Sequence, residues 1–160
     1  MKKRIISFLI IFSLIFVFIV FYEGLNKSSF YKPKNEISKI PQFFAKNFYL
    51  NEEIDSKKIF DENKYYLFNI WASWCIPCKD EHPILLNLSK SQQLDIIGLN
   101  YKDKLINAKK FLDELGDPYE KILLDRDGTI SIEWGAIGVP ETFLIYENKI
   151  VKKFIGPLNE

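Results

Sequence analysis

The sequence predicts an α/β domain with a mixed β-sheet, preceded by a single helix that is able to span a membrane. Three observations predict this arrangement. An uncharged apolar run extends from Ile5 to Tyr22 near the start of the chain. Beyond it, short apolar runs that are typical of strands alternate with segments of helical periodicity, which favours strands joined by helices. Finally, strand-like runs at Thr142–Tyr146 and Lys149–Ile155 are separated only by Glu147 and Asn148, which predicts an antiparallel hairpin.

The apolar run Ile5–Tyr22 covers roughly 27 Å as a helix, which is enough to cross the hydrocarbon core of a bilayer. Because Lys2, Lys3 and Arg4 precede it, the positive-inside rule leaves the N-terminus in the cytoplasm and places the rest of the chain outside. The alternative is a cleaved signal peptide, which would also export the remainder. However, the run is longer than the usual apolar region of a signal peptide, about 7–15 residues, and no Ala-x-Ala-like cleavage site follows it.

We therefore expect a signal anchor at residues 1–23, a polar linker at 24–39 and one domain at 40–160. The formal net charge of +1 argues against a nucleic-acid partner, because such proteins usually carry a basic excess. Two cysteines are too few for a disulfide-scaffold mini-protein. The single histidine excludes multi-histidine metal sites unless other residue types supply ligands, and we expect no bound metal.

The first half of the domain should contain a strand, a helix and a second strand. The aromatic run Tyr65–Trp71 predicts a buried central strand. A helix is predicted over Cys75–Lys90, and apolar residues at helical spacing continue beyond Pro83, which should kink the helix rather than end it. The second strand is predicted at Leu94–Asn100.

The second half leads from another helix to the hairpin. Lys104–Leu115 has an apolar stripe at helical spacing, and Gly116 is a suitable residue for its C-terminal end. A short strand at Ile122–Leu124 and a turn at Asp125–Gly128 follow. The predicted order of elements is therefore strand, helix, strand, helix, strand and hairpin.

The residues that carry chemistry are Cys75 and Cys78, which form one Cys-x-x-Cys between a strand and a helix. Free N–H groups at a helix N-terminus stabilise a thiolate, and the second thiol is close enough to form a disulfide in the same turn. Pro77 lies just inside the helix, where its missing N–H costs nothing. One alternative is half of a zinc site, which a lone His82 and the lack of further cysteines argue against. Another is a static disulfide, but so small a loop contributes little stability. The pattern favours redox chemistry.

The segment Trp71-Ala-Ser-Trp-Cys-Ile-Pro-Cys78 resembles the active-site segment of the thioredoxin superfamily. Three further segments narrow the resemblance: Glu81-His-Pro83, Gly98-Leu-Asn-Tyr-Lys-Asp103 and Gly138-Val-Pro-Glu-Thr-Phe143. With Gly156-Pro-Leu158 they are similar to the membrane-anchored thiol:disulfide interchange proteins of cytochrome c maturation, the DsbE/CcmG type. The resemblance extends from about Ile40 to the last residue and implies a thioredoxin-like fold. Such chains usually continue into a final helix, which we expect to be missing because this sequence stops at Glu160.

The resemblance implies roles for individual residues. Cys75 corresponds to the exposed attacking thiol and Cys78 to the buried resolving thiol of a redox-active disulfide. Pro140 matches a cis-proline that faces the active site, and Val139 would offer backbone groups to a substrate strand. Trp74 is expected to shape the contact surface beside Pro77.

Glu81 and Glu141 match the two acidic residues that distinguish this family from general thioredoxins, and the resemblance implies that both are catalytic residues whose charge makes the cysteine couple more reducing. Glu81 follows Cys78 by one helical turn, so its carboxyl group could raise the thiol pKa and accept the Cys78 proton. The alternatives are a solvated helix face for Glu81 and a polar strand end for Glu141. His82 is expected to pack or cap locally rather than to catalyse.

The resemblance also implies a function. We expect a thiol:disulfide oxidoreductase in the bacterial inner membrane, inserted through residues 5–22, with its C-terminal domain in the periplasm. Its partners would be apocytochrome c or cytochrome c maturation proteins, with a membrane thiol-disulfide protein as electron donor. No cofactor is needed, because the electrons reside on the sulfurs. The alternatives are a broader exported disulfide reductase and a non-enzymatic adaptor of thioredoxin fold.

Overall fold

The computed structural model describes residues 2–26, 38–50, 52–60, 63–91 and 94–159. The chain divides into two units, Met1–Asn35 and Glu36–Glu160. In the first unit, helix α1 spans Lys2–Asn26. Its segment Arg4–Glu23 is the single helix among the described residues that is long and apolar enough to cross a membrane. The predicted apolar N-terminal helix is therefore present.

The second unit is built on one mixed sheet of eight strands in the order β1-β8-β7-β4-β5-β6-β2-β3. The central strands β4, β5 and β6 run parallel, and the other neighbouring pairs are antiparallel. The strands are β1 (Ser38–Lys39), β2 (Phe44–Asn47), β3 (Glu53–Asp55), β4 (Tyr65–Trp71), β5 (Leu94–Tyr101), β6 (Lys121–Asp125), β7 (Glu141–Tyr146) and β8 (Lys149–Ile155). The predicted α/β fold with a mixed sheet is confirmed.

Among the described residues, three α-helices connect these strands, and a short 3₁₀ helix (Ser56–Lys58) follows β3. Helix α2 (Ile76–Leu88) links β4 to β5, and α3 (Leu105–Leu115) links β5 to β6. The short α4 (Thr129–Glu133) follows β6. As predicted, α2 continues beyond Pro83 and α3 ends at Gly116, whose backbone has a positive φ of 92°. Within the described residues no helix follows β8.

Sequence analysis did not predict β1, β2, β3 or α4. In β2 the expected alternation is inverted, because Phe44 is 66% exposed whereas Ala45 is 4% exposed. Strand β1 pairs with β8 and lies at the end of the stretch 24–39 that was predicted to be a linker; most of that stretch lies outside the described residues. Helix α4 is held by a side chain of the preceding strand: the Asp125 carboxylate accepts hydrogen bonds from the backbone N–H of Ile130 and of Ser131.

The sheet has a different hydrophobic cluster on each face. Alternate residues of a strand point to opposite faces, so Phe68 belongs to one cluster and Leu67 to the other. We call the face that includes Phe68 the Trp134 face, because Trp134 packs there. We call the other the cysteine face, because it holds both cysteines and side chains from α2 and α3. The functional groups described below are divided between these two faces.

Trp134→Ala should lower the free energy of unfolding by about 3–5 kcal/mol, because the indole is buried and its loss leaves a cavity. Its ring stacks on Phe68 at 4.1 Å between centroids and packs edge-on against Phe143 at 5.2 Å. Urea denaturation of the oxidised protein measures this loss. Ile132→Ala, in α4 and two residues before Trp134 but 70% exposed, is the matched control and should change stability little. Equal losses in the two variants would contradict the described core.

Candidate active site

The two cysteines meet at the start of α2. Cys75 is the N-cap residue with an extended backbone, and its Sγ accepts a hydrogen bond from the backbone N–H of Cys78 at 3.1 Å. A disulfide joins the two residues across 5.3 Å between their Cα atoms. Pro77 is in the first turn of the helix, where a backbone N–H would have no intrahelical partner. The predicted strand–Cys-x-x-Cys–helix arrangement is therefore present.

The exposure of the sulfur pair differs from the expectation. Cys75 is 5% exposed and Cys78 is 2% exposed, so the residue that was expected to be exposed is also buried in the disulfide form. The reason is that Cys75 packs in the hydrophobic cluster of the cysteine face. The exposed groups beside it are Trp74, at 56%, and Ile76, at 75%. These two side chains form an exposed apolar surface on either side of Cys75 in the sequence.

The loop at residues 72–75, which we call the cysteine loop, is hydrogen-bonded to the loop after β5. The Asp103 carboxylate accepts hydrogen bonds from the backbone N–H of Ser73 at 2.6 Å and from its hydroxyl at 2.8 Å. The indole N–H of Trp74 donates to the carbonyl oxygen of Lys102 at 3.2 Å. Asp103 is therefore a positioning residue for the cysteine loop. Sequence analysis placed it in a family segment but gave it no role.

Val139 and Pro140 precede β7, at the end of the sheet where the chain leaves β4 for the cysteines. The Val139–Pro140 peptide bond is cis. Ile70, near the end of β4, pairs with Glu141 at the start of β7. The residues before β7 therefore lie next to the end of β4, where the cysteine loop begins. Val139 packs against both hydrophobic clusters, including the one that contains the disulfide.

Glu81 is buried on the cysteine face. Its side chain is on α2, one turn after Cys78, and the residue is 1% exposed. One carboxylate oxygen, Oε1, accepts a hydrogen bond from Asn69 Nδ2 at 2.9 Å, and Oε2 accepts one from the backbone N–H of Leu158 at 2.9 Å. Burial raises the pKa of Glu81, and the two hydrogen bonds oppose part of that rise. The alternative of a solvated helix face is therefore wrong.

A network of buried hydrogen bonds extends from Glu81 through Asn69. Asn69 Nδ2 also donates to Thr142 Oγ1 at 2.9 Å, while Asn69 Oδ1 accepts from the hydroxyl of Tyr119 at 2.9 Å. The pKa of Tyr119 is raised well above its usual value by burial and, secondarily, by the charge of Glu81. Sequence analysis missed these three residues. The available signal was Asn69 itself, a polar residue in the middle of the apolar run that forms β4.

Glu141 is also 1% exposed, but it lies on the other side of the sheet. It pairs with Ile70 across β4 and β7, and Ile70 belongs to the Trp134 face. Its Oε1 accepts hydrogen bonds from the backbone N–H groups of Ile137 at 2.8 Å and Gly138 at 3.2 Å. Its Oε2 forms an ion pair with Lys153 Nζ at 2.7 Å. The structure therefore does not bring the two glutamates together.

His82 packs locally, as expected. It is 2% exposed, and its Nε2 lies 2.9 Å from the carbonyl oxygen of Gly116 at the end of α3. Burial lowers its pKa, which favours the neutral imidazole. The ring also packs edge-on against Phe111 at 4.9 Å between centroids. His82 thus connects α2 to α3.

The raised pKa of Glu81 predicts how its removal changes stability with pH. The folded protein binds this proton more tightly than the unfolded chain, so wild-type stability from Glu81 is fully present below the unfolded pKa of about 4.3 and declines as pH rises toward the folded pKa. Glu81→Gln removes this decline, although it also leaves one amide N–H facing a donor. The difference in unfolding free energy should therefore move in favour of the variant as pH increases through that interval.

Urea denaturation at a series of pH values measures this difference, with Glu114→Gln, an exposed carboxyl group on α3, as the control for removing one acid. A difference between Glu81→Gln and wild type that stays constant across the interval would contradict the buried, proton-retaining carboxyl group.

Comparison with known proteins agrees with this geometry. The Redoxin family model matches residues 38–160. The thiol:disulfide interchange protein CycY of Rhizobium leguminosarum bv. viciae is 46% identical over 97 residues, which cover 60% of this chain and 52% of the relative. The thiol:disulfide interchange protein DsbE of Escherichia coli K12 is 42% identical over 102 residues, covering 63% and 55%. The chain thus spans about half the length of the curated relatives it matches.

Solved structures show the same fold. A DsbF homologue from Corynebacterium diphtheriae superimposes with a TM-score of 0.67 at 17% identity, covering 80% of this chain and 88% of that one. StoA from Bacillus subtilis gives a TM-score of 0.56 at 26% identity, covering 74% and 90%. The predicted thioredoxin-like fold is confirmed, and the chain belongs to the Redoxin family, with similarity to the DsbE-type thiol:disulfide interchange proteins.

Proposed function

We propose that this protein is a membrane-anchored thiol:disulfide oxidoreductase that reduces disulfides of apocytochrome c, or of its maturation partners, before haem attachment. The observation that carries the proposal is the Cys75–Cys78 disulfide at the start of α2, beside the Val139–Pro140 segment. The similarity to CycY and DsbE supports the reaction class. Haem attachment to c-type cytochromes uses Cys-x-x-Cys-His motifs, whose thiols must be reduced.

The reaction begins with the dithiol form of the protein. The Cys75 thiolate attacks one sulfur of the substrate disulfide, forming a mixed disulfide and releasing the other substrate sulfur as a thiolate that takes up a proton. Cys78 then loses its proton and attacks Cys75. The substrate leaves with two thiols, and the two electrons that it gains come from the Cys75 and Cys78 thiols, which are oxidised to the disulfide. The backbone N–H of Cys78 stabilises the attacking thiolate, because it already donates to Cys75 Sγ.

Glu81 is suited to accept the proton of Cys78. It follows Cys78 by one turn of α2 and is buried on the face that holds both cysteines. Because burial raises its pKa, its carboxylate is a stronger base than an exposed one. The same negative charge opposes formation of a thiolate nearby, which makes the dithiol a better reductant. Glu141 lies on the Trp134 face, so this role belongs to Glu81.

The apolar N-terminal helix supports a proposed cellular arrangement. Residues 1–23 would anchor the chain in the inner membrane through residues 5–22, and a linker at 24–39 would hold the domain 40–160 in the periplasm. Tethering raises the effective concentration of the domain near membrane partners without any new contact. A membrane thiol-disulfide protein would return the Cys75–Cys78 bridge to the dithiol form.

Cys75→Ser should abolish reduction of a disulfide-bonded Cys-x-x-Cys-His peptide, because the attacking sulfur is lost. Cys78→Ser should instead accumulate a mixed disulfide with the peptide, because the resolving sulfur is lost. Mass spectrometry after rapid acid quenching and alkylation measures both species. A Cys75→Ser variant that retains wild-type reductase activity would overturn the proposed roles, and a double Cys→Ser variant that still supports cytochrome c assembly in cells would favour the adaptor alternative.

The substrate class is tested by comparing two disulfides. The dithiol protein should reduce the oxidised Cys-x-x-Cys-His peptide faster than a disulfide peptide of the same length that lacks the haem-attachment motif. Single-turnover kinetics with both peptides measure the ratio. Equal rates would favour the broader exported reductase over a protein dedicated to cytochrome c.

A further inference from the structure

The loop before β7 is held by the Glu141 carboxylate. This loop, residues 135–140, leads from the end of α4 to the first residue of β7 and includes Val139. Oxygen Oε1 of Glu141 accepts hydrogen bonds from two consecutive backbone N–H groups, those of Ile137 and Gly138. Two donors on one buried oxygen fix the path of the backbone immediately before Val139.

Lys153 completes this contact from the neighbouring strand. Its Nζ lies 2.7 Å from Glu141 Oε2 and donates a hydrogen bond to the carbonyl oxygen of Gly135, also at 2.7 Å. Lys153 is opposite Phe143 in the β7–β8 pair, and its ammonium group lies 5.2 Å from the centroid of that ring. Its side chain is only 13% exposed. One ion pair therefore binds the loop at Gly135 through Lys153 and at Ile137 and Gly138 through Glu141.

The same contacts separate Glu141 from the chemistry of the sulfurs. Glu141, Phe143 and Ile70 lie on the Trp134 face, whereas the disulfide belongs to the cluster of the cysteine face. One carboxylate oxygen accepts from backbone donors, and the other lies in an ion pair with an ammonium group without a hydrogen bond of good geometry. A carboxylate in this position can hold the loop from the face of the sheet opposite to the cluster that contains the disulfide.

We propose that the Lys153–Glu141 ion pair positions the Val139 backbone for pairing with the substrate, which makes Lys153 a positioning residue for disulfide exchange. This inference rests on the proposed function, because it assigns the loop to substrate binding. Extended peptides add to exposed backbone groups through main-chain hydrogen bonds, and such pairing depends on a preformed edge. Loss of the ion pair should weaken binding of a peptide substrate and leave the reactivity of the sulfurs unchanged.

The test uses single-turnover reduction by the full-length dithiol protein in detergent, with two substrates. The oxidised Cys-x-x-Cys-His peptide can pair with the Val139 backbone, whereas cystamine is a disulfide without peptide groups. For Lys153→Met we expect the half-saturating peptide concentration to increase roughly tenfold, because an interaction of ordinary hydrogen-bond strength is lost. The limiting rate with the peptide and the second-order rate with cystamine should stay within about twofold of wild type, because neither depends on peptide pairing.

The matched control is Lys152→Met, which changes the adjacent, exposed lysine of β8 and should leave all three parameters unchanged. Lys153→Arg should restore most of the peptide affinity, because a guanidinium group can contact the carboxylate and a carbonyl oxygen together. Circular dichroism confirms folding of each variant. If Lys153→Met does not fold, Glu141→Gln replaces it, since the amide oxygen can still accept from the loop but the ion pair is lost, and a smaller increase in half-saturation is expected.

An unchanged half-saturating peptide concentration in the folded variant would overturn the inference. A fall in the cystamine rate as large as the fall in the peptide rate would also overturn it, because the ion pair would then act on the sulfurs. A wild-type protein that reduces cystamine but not the peptide would instead contradict the proposed function.

Discussion

The active site depends on where α2 begins. Because the helix starts directly after Cys75, its first backbone N–H groups have no intrahelical acceptor, and one of them donates to the Cys75 sulfur. The same placement brings Cys78 within disulfide distance, one turn further along. Strand β4 ends four residues before Cys75, and Asp103 accepts hydrogen bonds from Ser73 in the loop between them. A displaced helix start would remove both the thiolate stabilisation and the bridge.

The two buried glutamates lie on opposite faces of the sheet and have different hydrogen-bond and charge partners. On the cysteine face, Glu81 is held by neutral donors, from Asn69 and the Leu158 backbone, and burial raises its pKa. That environment favours a group that exchanges a proton. On the Trp134 face, Glu141 is paired with an ammonium group and accepts from the loop backbone. That environment favours a group that stays charged and holds a segment in place. Two glutamates that look equivalent in the sequence therefore lie in different environments, and we propose different roles for them on that ground.

Local sequence determined which parts could be predicted. The strand–Cys-x-x-Cys–helix arrangement follows from residues adjacent in the chain, and the cis bond before Pro140 was available from the family resemblance. Contacts between distant segments could not be predicted from the sequence. Asn69 forms hydrogen bonds with Tyr119 and Thr142 only because β4, β7 and the segment after α3 pack together in the fold. Likewise, nothing local distinguishes Lys153 from Lys152, because the choice depends on the register between β7 and β8. Strand β2 was missed because its large apolar residue, Phe44, faces solvent.

We propose that the two sulfurs interconvert between dithiol and disulfide, and that the buried carboxyl group of Glu81 makes this couple reducing. Equilibration in glutathione and dithiothreitol buffers, followed by acid quenching, alkylation and mass spectrometry, measures the midpoint potential directly. We expect a value closer to that of thioredoxin, about −270 mV, than to the roughly −120 mV of a strong disulfide oxidant. We also expect Glu81→Gln to move the potential in the oxidising direction. A wild-type midpoint near −120 mV, or thiols that never form the bridge, would contradict the account.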